Sequence, residues 1–309
     1  MPLPVCAGVD GSAASIAAAA WAAREAELRE ATLDLVAAWH WPAGVLSPDI
    51  PDAETREHWA RRSLQLAVDR LHRHHPHLEI RTLLLPEPPR EALLRTARRS
   101  QLLALGSRGI GSSGPIAVAS TGMQAAVRTR IPVVVTPPPS GMTPRAGEPV
   151  LLAVDTAEEP DEVIAFAFEE AAARQVPLRV LCAWPPPPEQ SYPALSHPRA
   201  QAARQERAHA SLAEVLVPWR LKWAGVRVEQ MCPCDSPVSA VARAATGVCL
   251  AVLGRPMPTG PRATRLGPVA LRTLHTAPCP VALVPYACSA GPARREASRP
   301  SGGRCSGTV

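Results

Sequence analysis

One glycine- and serine-rich segment, residues 106–121, has a composition suited to anion binding. An apolar run ends at Gly106, and a helical pattern starts near Ser120. Because glycine lacks a Cβ atom, backbone N–H groups there can turn toward phosphate oxygens, and a helix N-terminus adds unpaired N–H groups. Ser120 and Thr121 offer hydroxyl donors, although Thr121 and Gln124 also have the spacing of a capping box. The segment fits either a phosphate-binding loop or a plain surface loop.

Other groups of reactive side chains are weaker candidates. The histidine cluster at residues 72–77 contains Pro76 and has no adjacent acidic or cysteine partner. Cys232 and Cys234 lack the two-residue gap of a zinc or redox pair. No metal site is therefore predicted. No Ser/His/Asp or paired-carboxylate arrangement can be read from the sequence either, which argues against an enzyme.

Composition and charge exclude several classes of protein. The 309 residues, 46% hydrophobic and 4% aromatic, suffice for two domains with cores of Ala, Val and Leu. The net charge of +6 comes almost wholly from arginine, and basic residues alternate with acidic ones, as in REAELRE at residues 24–30. This alternation forms no basic face for nucleic acid. Since neither a membrane span nor a signal-type N-terminus is visible, we expect a cytoplasmic protein with reduced cysteines.

The two halves of the chain repeat the same landmarks in the same order. The apolar run that ends at Asp10 recurs before Asp155, an offset of 145 (155 − 10), and Gly106 recurs as Gly254, an offset of 148 (254 − 106). A period of this length corresponds to a whole domain. We predict a first domain, a linker, a second domain and a disordered tail, at residues 1–138, 139–147, 148–287 and 288–309.

Within each half, apolar runs alternate with helical patterns. The runs lack polar alternation, which is typical of strands buried on both faces of a parallel sheet. We therefore predict an α/β fold of two tandem, doubly wound domains, each with a five-stranded parallel sheet. Ligands of such sheets bind beyond the carboxyl ends of the strands. In the first half the predicted strands are 4–9, 33–39, 78–85, 101–105 and 132–136, and the predicted helices are 12–32, 55–72, 91–100 and 120–129.

Two motifs, GVDGSAAS after the first strand and GSRGIGSSGPIAVAST after the fourth, resemble those of the universal stress protein family. The resemblance covers both halves and implies an adenine nucleotide alpha hydrolase-like fold. Nucleotide-binding members carry Gly, two residues, Gly, nine residues, and then Gly followed by Ser or Thr. These positions fall on Gly106, Gly109, Ala119 and Ser120, so that Ala119 departs from the pattern by one methyl group.

The resemblance implies an adenine nucleotide in the first half, ATP or alternatively AMP, with at most slow ATP hydrolysis. It implies no metal beyond Mg²⁺ carried by ATP. Asp10 is expected at the adenosine end, although capping of the following helix is an alternative and compatible role. The other implied contacts are the backbone of Ala38 along the adenine, Gly106 near the ribose, and Gly109, Ala119, Ser120 and Thr121 around the phosphates.

The second half keeps the pattern of strands and helices but not the glycine- and serine-rich composition found at residues 106–121. Gly254 and Gly267 keep the thirteen-residue spacing (267 − 254), yet Met257 replaces the second glycine and Pro268 replaces the hydroxyl residue. Proline lacks an N–H donor, and this loop contains several prolines. Arg255 is interpreted as a solvated surface residue, with attraction of an anion as the alternative. We predict that this half binds nucleotide poorly or not at all and completes a pseudo-dimer with the first.

Two functions remain open at the level of sequence. The first is a tandem universal stress protein that binds ATP in its N-terminal domain and acts as a regulatory or sensing module in the stress response. The second is an interaction scaffold without nucleotide that dimerises through the edge strands at residues 132–136 and 280–284. A homodimer and an intramolecular pseudo-dimer are both compatible with the sequence. The sequence identifies no protein partner, and we expect neither nucleic acid nor a membrane as a binding partner.

Overall fold

The computed structural model describes residues 2–40, 52–107, 125, 127–138, 147–156, 161–185, 198–257 and 266–287. In the first half, each strand and helix bound lies within four residues of its predicted position. The predicted helix at 120–129 lies largely outside the described residues, as do most of the linker and all of the tail. The strands are β1 (Val5–Gly8), β2 (Leu33–Ala38), β3 (Ile80–Leu85), β4 (Leu102–Gly106) and β5 (Val133–Thr136), and the helices are α1 (Ala13–Leu28), α2 (Ala53–His72) and α3 (Pro89–Ala97).

The second half repeats the alternation of strands and helices. Its elements, in chain order, are β6 (Val150–Ala153), α4 (Asp161–Arg174), β7 (Leu178–Leu181), α5 (Pro198–Lys222), β8 (Val228–Met231), α6 (Pro237–Ala244), β9 (Leu250–Met257), α7 (Pro268–Thr276) and β10 (Val281–Ala287).

The ten strands form one continuous sheet in the order β3-β2-β1-β4-β5-β10-β9-β6-β7-β8. The neighbouring strands within each half are parallel, which confirms the predicted doubly wound α/β fold. The halves meet where β5 and β10 pair antiparallel, with Val281 opposite Val135 and Leu283 opposite Val133. The two strands proposed as dimerisation edges thus pair with each other within one chain, and we call this β5–β10 pair the seam.

Helices cover both faces of the sheet, because alternate residues of each strand point to opposite sides. In β1, Val5 and Ala7 belong to the apolar cluster that includes the alanines of α1, whereas Cys6 packs with residues of α3 on the other face. The alanine side chains of α1 are small, which lets this helix approach the sheet closely. The carboxyl ends of the first half's strands consequently lie next to the first turn of α1.

Candidate functional site

Three of the predicted site residues lie at one edge of the sheet in the first half. Ala38 ends β2, Asp10 follows β1 by two residues, and Gly106 ends β4. These strands are adjacent in the order β2-β1-β4, and all run parallel. The winding direction changes between β1 and β4, which is where doubly wound sheets bind their ligands. The remaining predicted residues, Gly109, Ala119, Ser120 and Thr121, lie outside the described part of the chain.

Asp10 is held by the turn that starts α1. The N–H of Ser12 donates to Oδ1 of Asp10 at 2.9 Å, and the N–H of Asp10 donates to Oγ of Ser15 at 3.3 Å. Ser12, and not Asp10, is the N-cap, since its Oγ accepts from the N–H of Ser15 at 3.1 Å. Gly11 has a φ of +85°, a region that favours glycine. The alternative in which Asp10 caps α1 is therefore wrong, because Ser12 is the N-cap. The exposed carboxylate of Asp10 lies at the end of the strand.

Ala38 presents its backbone toward β1. In a parallel ladder, the polar backbone groups of successive residues point alternately to the two neighbouring strands. The N–H of Trp39 donates to the carbonyl of Leu85 in β3 at 3.2 Å, whereas the carbonyl of Val36 accepts from the N–H of Val9 at 2.8 Å. By this alternation Ala38 faces the same side as Val36. Its polar backbone groups thus lie beside the end of β1.

Gly106 is required by the packing of α1. A Cβ atom at this position would lie 2.6 Å from the carbonyl carbon of Ala14 and 2.7 Å from the nitrogen of Ser15. Both are backbone atoms of the first helical turn, which cannot move without shifting the helix. Sequence reasoning assigned this glycine to a ligand, whereas close contact between helix and sheet already demands it.

The corresponding edge of the second half is occupied by the protein itself. β9 continues three residues beyond Gly254 and pairs with β10 as far as Met257, where the first half has its glycine-rich segment. A Cβ atom on Gly254 would lie 2.8 Å from the ring of Tyr286, which is buried. Helix α7 starts at Pro268 after Gly267, which has no side chain with which to cap it. That this half has lost nucleotide binding stays a prediction.

Arg255 corrects the sequence interpretation. It is not a solvated surface residue, because only 2% of it is exposed. Its guanidinium crosses to the first half, where Nη2 donates to the carbonyl of Thr129 at 2.6 Å and Nη1 to that of Val127 at 3.0 Å. Burial lowers the pKa of Arg255 to about 10. The side chain is therefore committed to backbone carbonyls and not to an anion.

The weaker candidates of the sequence are the histidine cluster and the pair Cys232 and Cys234. In the described ranges no group of three or more His, Cys, Asp or Glu residues is arranged to hold a metal ion. Cys232 is buried, which raises the pKa of its thiol to about 11. The Cys232 carbonyl accepts from Nε1 of Trp184 at 3.2 Å and from Nε2 of Gln205 at 2.9 Å. Within the described ranges, none of the helices combines the length and apolar character needed to span a membrane.

Sequence reasoning missed a group of buried charges between the halves. REAELRE was interpreted only as an alternation of acidic and basic residues without a basic face, yet its Glu25 is only 1% exposed. Glu25 of α1 and Arg29, the C-cap of α1, meet Glu170 and Arg174 of α4, and we call these four residues the interdomain quartet. The available signal was the repeat itself, because Glu25 recurs as Glu170 at the offset of 145 (170 − 25).

These features define a tandem α/β protein whose first half carries a candidate ligand-binding edge of the sheet. The profile of the universal stress protein family matches residues 1–137 and 148–285, and the chain belongs to this family with two tandem domains. A universal stress protein of Mycolicibacterium smegmatis is 28% identical over 292 residues, which cover 91% of this chain and 96% of that protein.

Another universal stress protein, from Mycobacterium tuberculosis, is also 28% identical, over 90% of this chain and 95% of its own length. Among solved structures, a universal stress protein of Archaeoglobus fulgidus covers 92% of this chain and 96% of its own, with a TM-score of 0.61 and 12% identity. This structural likeness concerns the fold alone.

Proposed function

We propose that the N-terminal domain binds an adenine nucleotide, ATP or alternatively AMP, and that the chain acts as a regulatory or sensing module of the stress response. The observation that carries the proposal is the meeting of Asp10, Ala38 and Gly106 at the carboxyl edge of three adjacent strands. Membership of the universal stress protein family supports it. The cytoplasmic location expected from the sequence stays a prediction.

Each residue has a separate part in this proposal. The Ala38 backbone offers a donor and an acceptor to the adenine edge, and the Asp10 carboxylate accepts from the adenosine. The N–H groups and hydroxyls of the segment that includes Gly109 and Ser120 hold the phosphates, with any Mg²⁺ carried by them. We propose binding without turnover beyond slow hydrolysis.

The second domain has a structural part in the same proposal. The ring of Tyr286 lies against Gly254, and the guanidinium of Arg255 is used by the first half. Both groups are thus already engaged, one in packing and the other in contact between the halves. We therefore propose one nucleotide site in each chain.

The test combines ligand identification with a matched pair of variants. Nucleotide released from the denatured, purified protein is identified by mass, and ATP and AMP are then titrated calorimetrically into the ligand-free chain. We expect D10A to weaken ATP binding about ten-fold or more, since a hydrogen bond to a charged group contributes about 1.5–3 kcal/mol. The control D155A changes the equivalent residue of the second half and should leave the affinity unchanged.

Two results would overturn the proposal. One is the absence of any nucleotide, bound or titrated, in the wild-type chain. The other is an equal loss of affinity in D10A and D155A, because the site would then not belong to the first half. The first result would favour a scaffold function, although the strands first proposed for dimerisation already pair within the chain.

A further inference from the structure

The interdomain quartet lies where α1 of the first half faces α4 of the second. Glu25 and Glu170 are each only 1% exposed, and the side chains of Arg29 and Arg174 are 20% and 12% exposed. Two carboxylates and two guanidiniums thus share a site almost without water. Each buried ion costs several kcal/mol in lost hydration unless opposite charges and hydrogen bonds compensate it.

Every charge in the quartet has one partner in its own helix and one in the other half. Arg29 pairs with Glu25 within α1 and with Glu170 across the interface. Arg174 pairs with Glu170 within α4 at 2.5 Å and with Glu25 across the interface. Each half supplies one negative and one positive charge, and the second ion pair of every residue forms only when the two halves meet.

Each arginine of the quartet also lies against an aromatic ring of the other half. The guanidinium of Arg29 lies 5.8 Å from the ring centre of Phe166, and that of Arg174 lies 5.8 Å from the ring centre of Trp21. Each arginine therefore stacks on a ring from the other half, a contact that favours the cation. In addition, Nη1 of Arg29 donates to Oε1 of Gln101 at 3.0 Å.

The faces of α1 and α4 are two copies of one pattern. Three pairs of residues are related by the offset of 145 positions (166 − 21, 170 − 25 and 174 − 29), namely Trp21 with Phe166, Glu25 with Glu170 and Arg29 with Arg174. An aromatic residue, a glutamate and an arginine follow one another at four-residue spacing, which places them on one side of a helix. Such a face is self-complementary about a two-fold axis.

We propose that this face is a recognition surface whose partner is the matching face of the other half of the same chain. The order of glutamate and arginine along the helix selects this partner. A partner with another pattern would bury an unpaired charge or set like charges together. The seam between β5 and β10 contains no comparable discrimination, because the residues paired across it, Val133–Val135 and Val281–Leu283, offer only backbone pairing and aliphatic side chains. The quartet would therefore select the partner, and the seam would hold the two halves together.

The test uses two full-length variants of identical composition. In the half-swapped variant E170R/R174E, each helix keeps its own Glu–Arg pair, but both pairs across the interface become like-charged. In the cross-swapped variant R29E/E170R, both pairs across the interface survive, and the pairs within each helix become like-charged. The two variants thus separate recognition between the halves from the stability of the single helices.

The readout is amide hydrogen exchange at the seam, together with the melting temperature, both at pH 8. We expect the half-swapped variant to exchange its β5 and β10 amides at least ten-fold faster than wild type and to melt several degrees lower. The cross-swapped variant should exchange these amides within about three-fold of the wild-type rate. A half-swapped chain that fails to fold, beside a folded cross-swapped chain, also supports the proposal.

An exposed pair of the same type serves as the control. Glu57 and Arg61 of α2 form an ion pair at 2.6 Å with side chains 37% and 67% exposed, and E57R/R61E should change neither readout. The proposal is overturned if the half-swapped and cross-swapped variants lose seam protection equally, failure of both to fold included. It is also overturned if the half-swapped variant behaves as wild type. None of these readouts involves nucleotide, so the proposed function is tested separately.

Discussion

At Gly106, the first turn of α1 leaves no space for a side chain, and at Glu170 a carboxyl group is enclosed among charges of the other half. These two residues show how neighbours distant in sequence set the role of a single group. The glycine maintains the geometry of the candidate site through the helix behind it. The glutamate makes stability depend on pH.

Alanine at position 106 should destabilise the fold. Its Cβ atom would lie 2.6 Å from the carbonyl carbon of Ala14, so that α1 must shift, and overpacking of this kind costs about 1–3 kcal/mol. The free energy of unfolding of G106A in urea measures the effect. G225A is the control, since a Cβ atom on Gly225 would meet nothing within 4 Å, and equal stability of the two variants would contradict the prediction.

Glycine at position 119 should tighten ATP binding, because it restores the family pattern at the one position where the first half departs from it. If Ala119 adopts a left-handed conformation, its strain is about 1 kcal/mol, which corresponds to roughly five-fold in affinity. Calorimetric titration of A119G beside wild type measures this change. An unchanged or weaker affinity would show that the methyl group does not obstruct the nucleotide.

The E170Q variant should remove a pH dependence of stability. Burial and the charge of Glu25 raise the pKa of Glu170 from 4.5 to about 7, whereas in Glu25 the effect of burial is outweighed by Arg174 and Arg29, which hold its pKa below the usual value. The folded chain therefore retains a proton that the unfolded chain releases between pH 4.5 and 7. The stabilisation by Glu170 is complete below pH 4.5 and is lost as the pH rises through 7.

Urea unfolding at pH 5 and pH 8 measures this dependence. The free energy of unfolding of wild type, taken relative to that of E170Q, should decrease from pH 5 to pH 8 by up to about 3 kcal/mol. The control E169Q changes the exposed neighbour on the same helix and should show no such trend. A difference that stays constant from pH 5 to pH 8 would contradict the assignment.

At the scale of elements, the two halves differ most after their fourth strands. β4 ends at Gly106, whereas β9 continues to Met257 and brings Arg255 to the carbonyls of Val127 and Thr129. Those carbonyls follow the last helical turn before β5, since the N–H of Thr129 donates to the carbonyl of Ala125 at 3.2 Å. A cation is favourable at the C-terminal end of a helix. The extension of β9 thus forms a connection between the halves.

The R255M variant should destabilise the protein. It keeps much of the buried volume but leaves two carbonyls without their donor, at a cost of about 1–3 kcal/mol, of which the relief of a buried charge offsets a part. Denaturant unfolding measures the change. R243M is the control, because the Arg243 side chain is 67% exposed in its ion pair with Asp235, and equal losses in the two variants would contradict the prediction.

At the scale of the whole molecule, the seam joins two similar domains into one ten-stranded sheet, but only one of them keeps the candidate ligand edge. We therefore expect one ATP per chain and not two. At 100 times Kd, one bound nucleotide should stabilise the fold by about 2.7 kcal/mol. Native mass spectrometry gives the number bound and thermal unfolding gives the stabilisation. A second nucleotide, lost in D155A, would overturn the assignment of the second domain as structural.

The repeat and the order of strands and helices could be read from the sequence, and so could the position of the candidate edge at the strand ends of the first half, whose role stays a prediction. They depend on local periodicity and on landmarks such as Asp10 and Asp155, which each half carries within itself. The burial of Glu25, the course of Arg255 and the pairing of β5 with β10 became known only from the tertiary structure. These features depend on which faces of distant elements meet, and a charged or proline-rich stretch has the same local pattern whether solvent or another domain covers it.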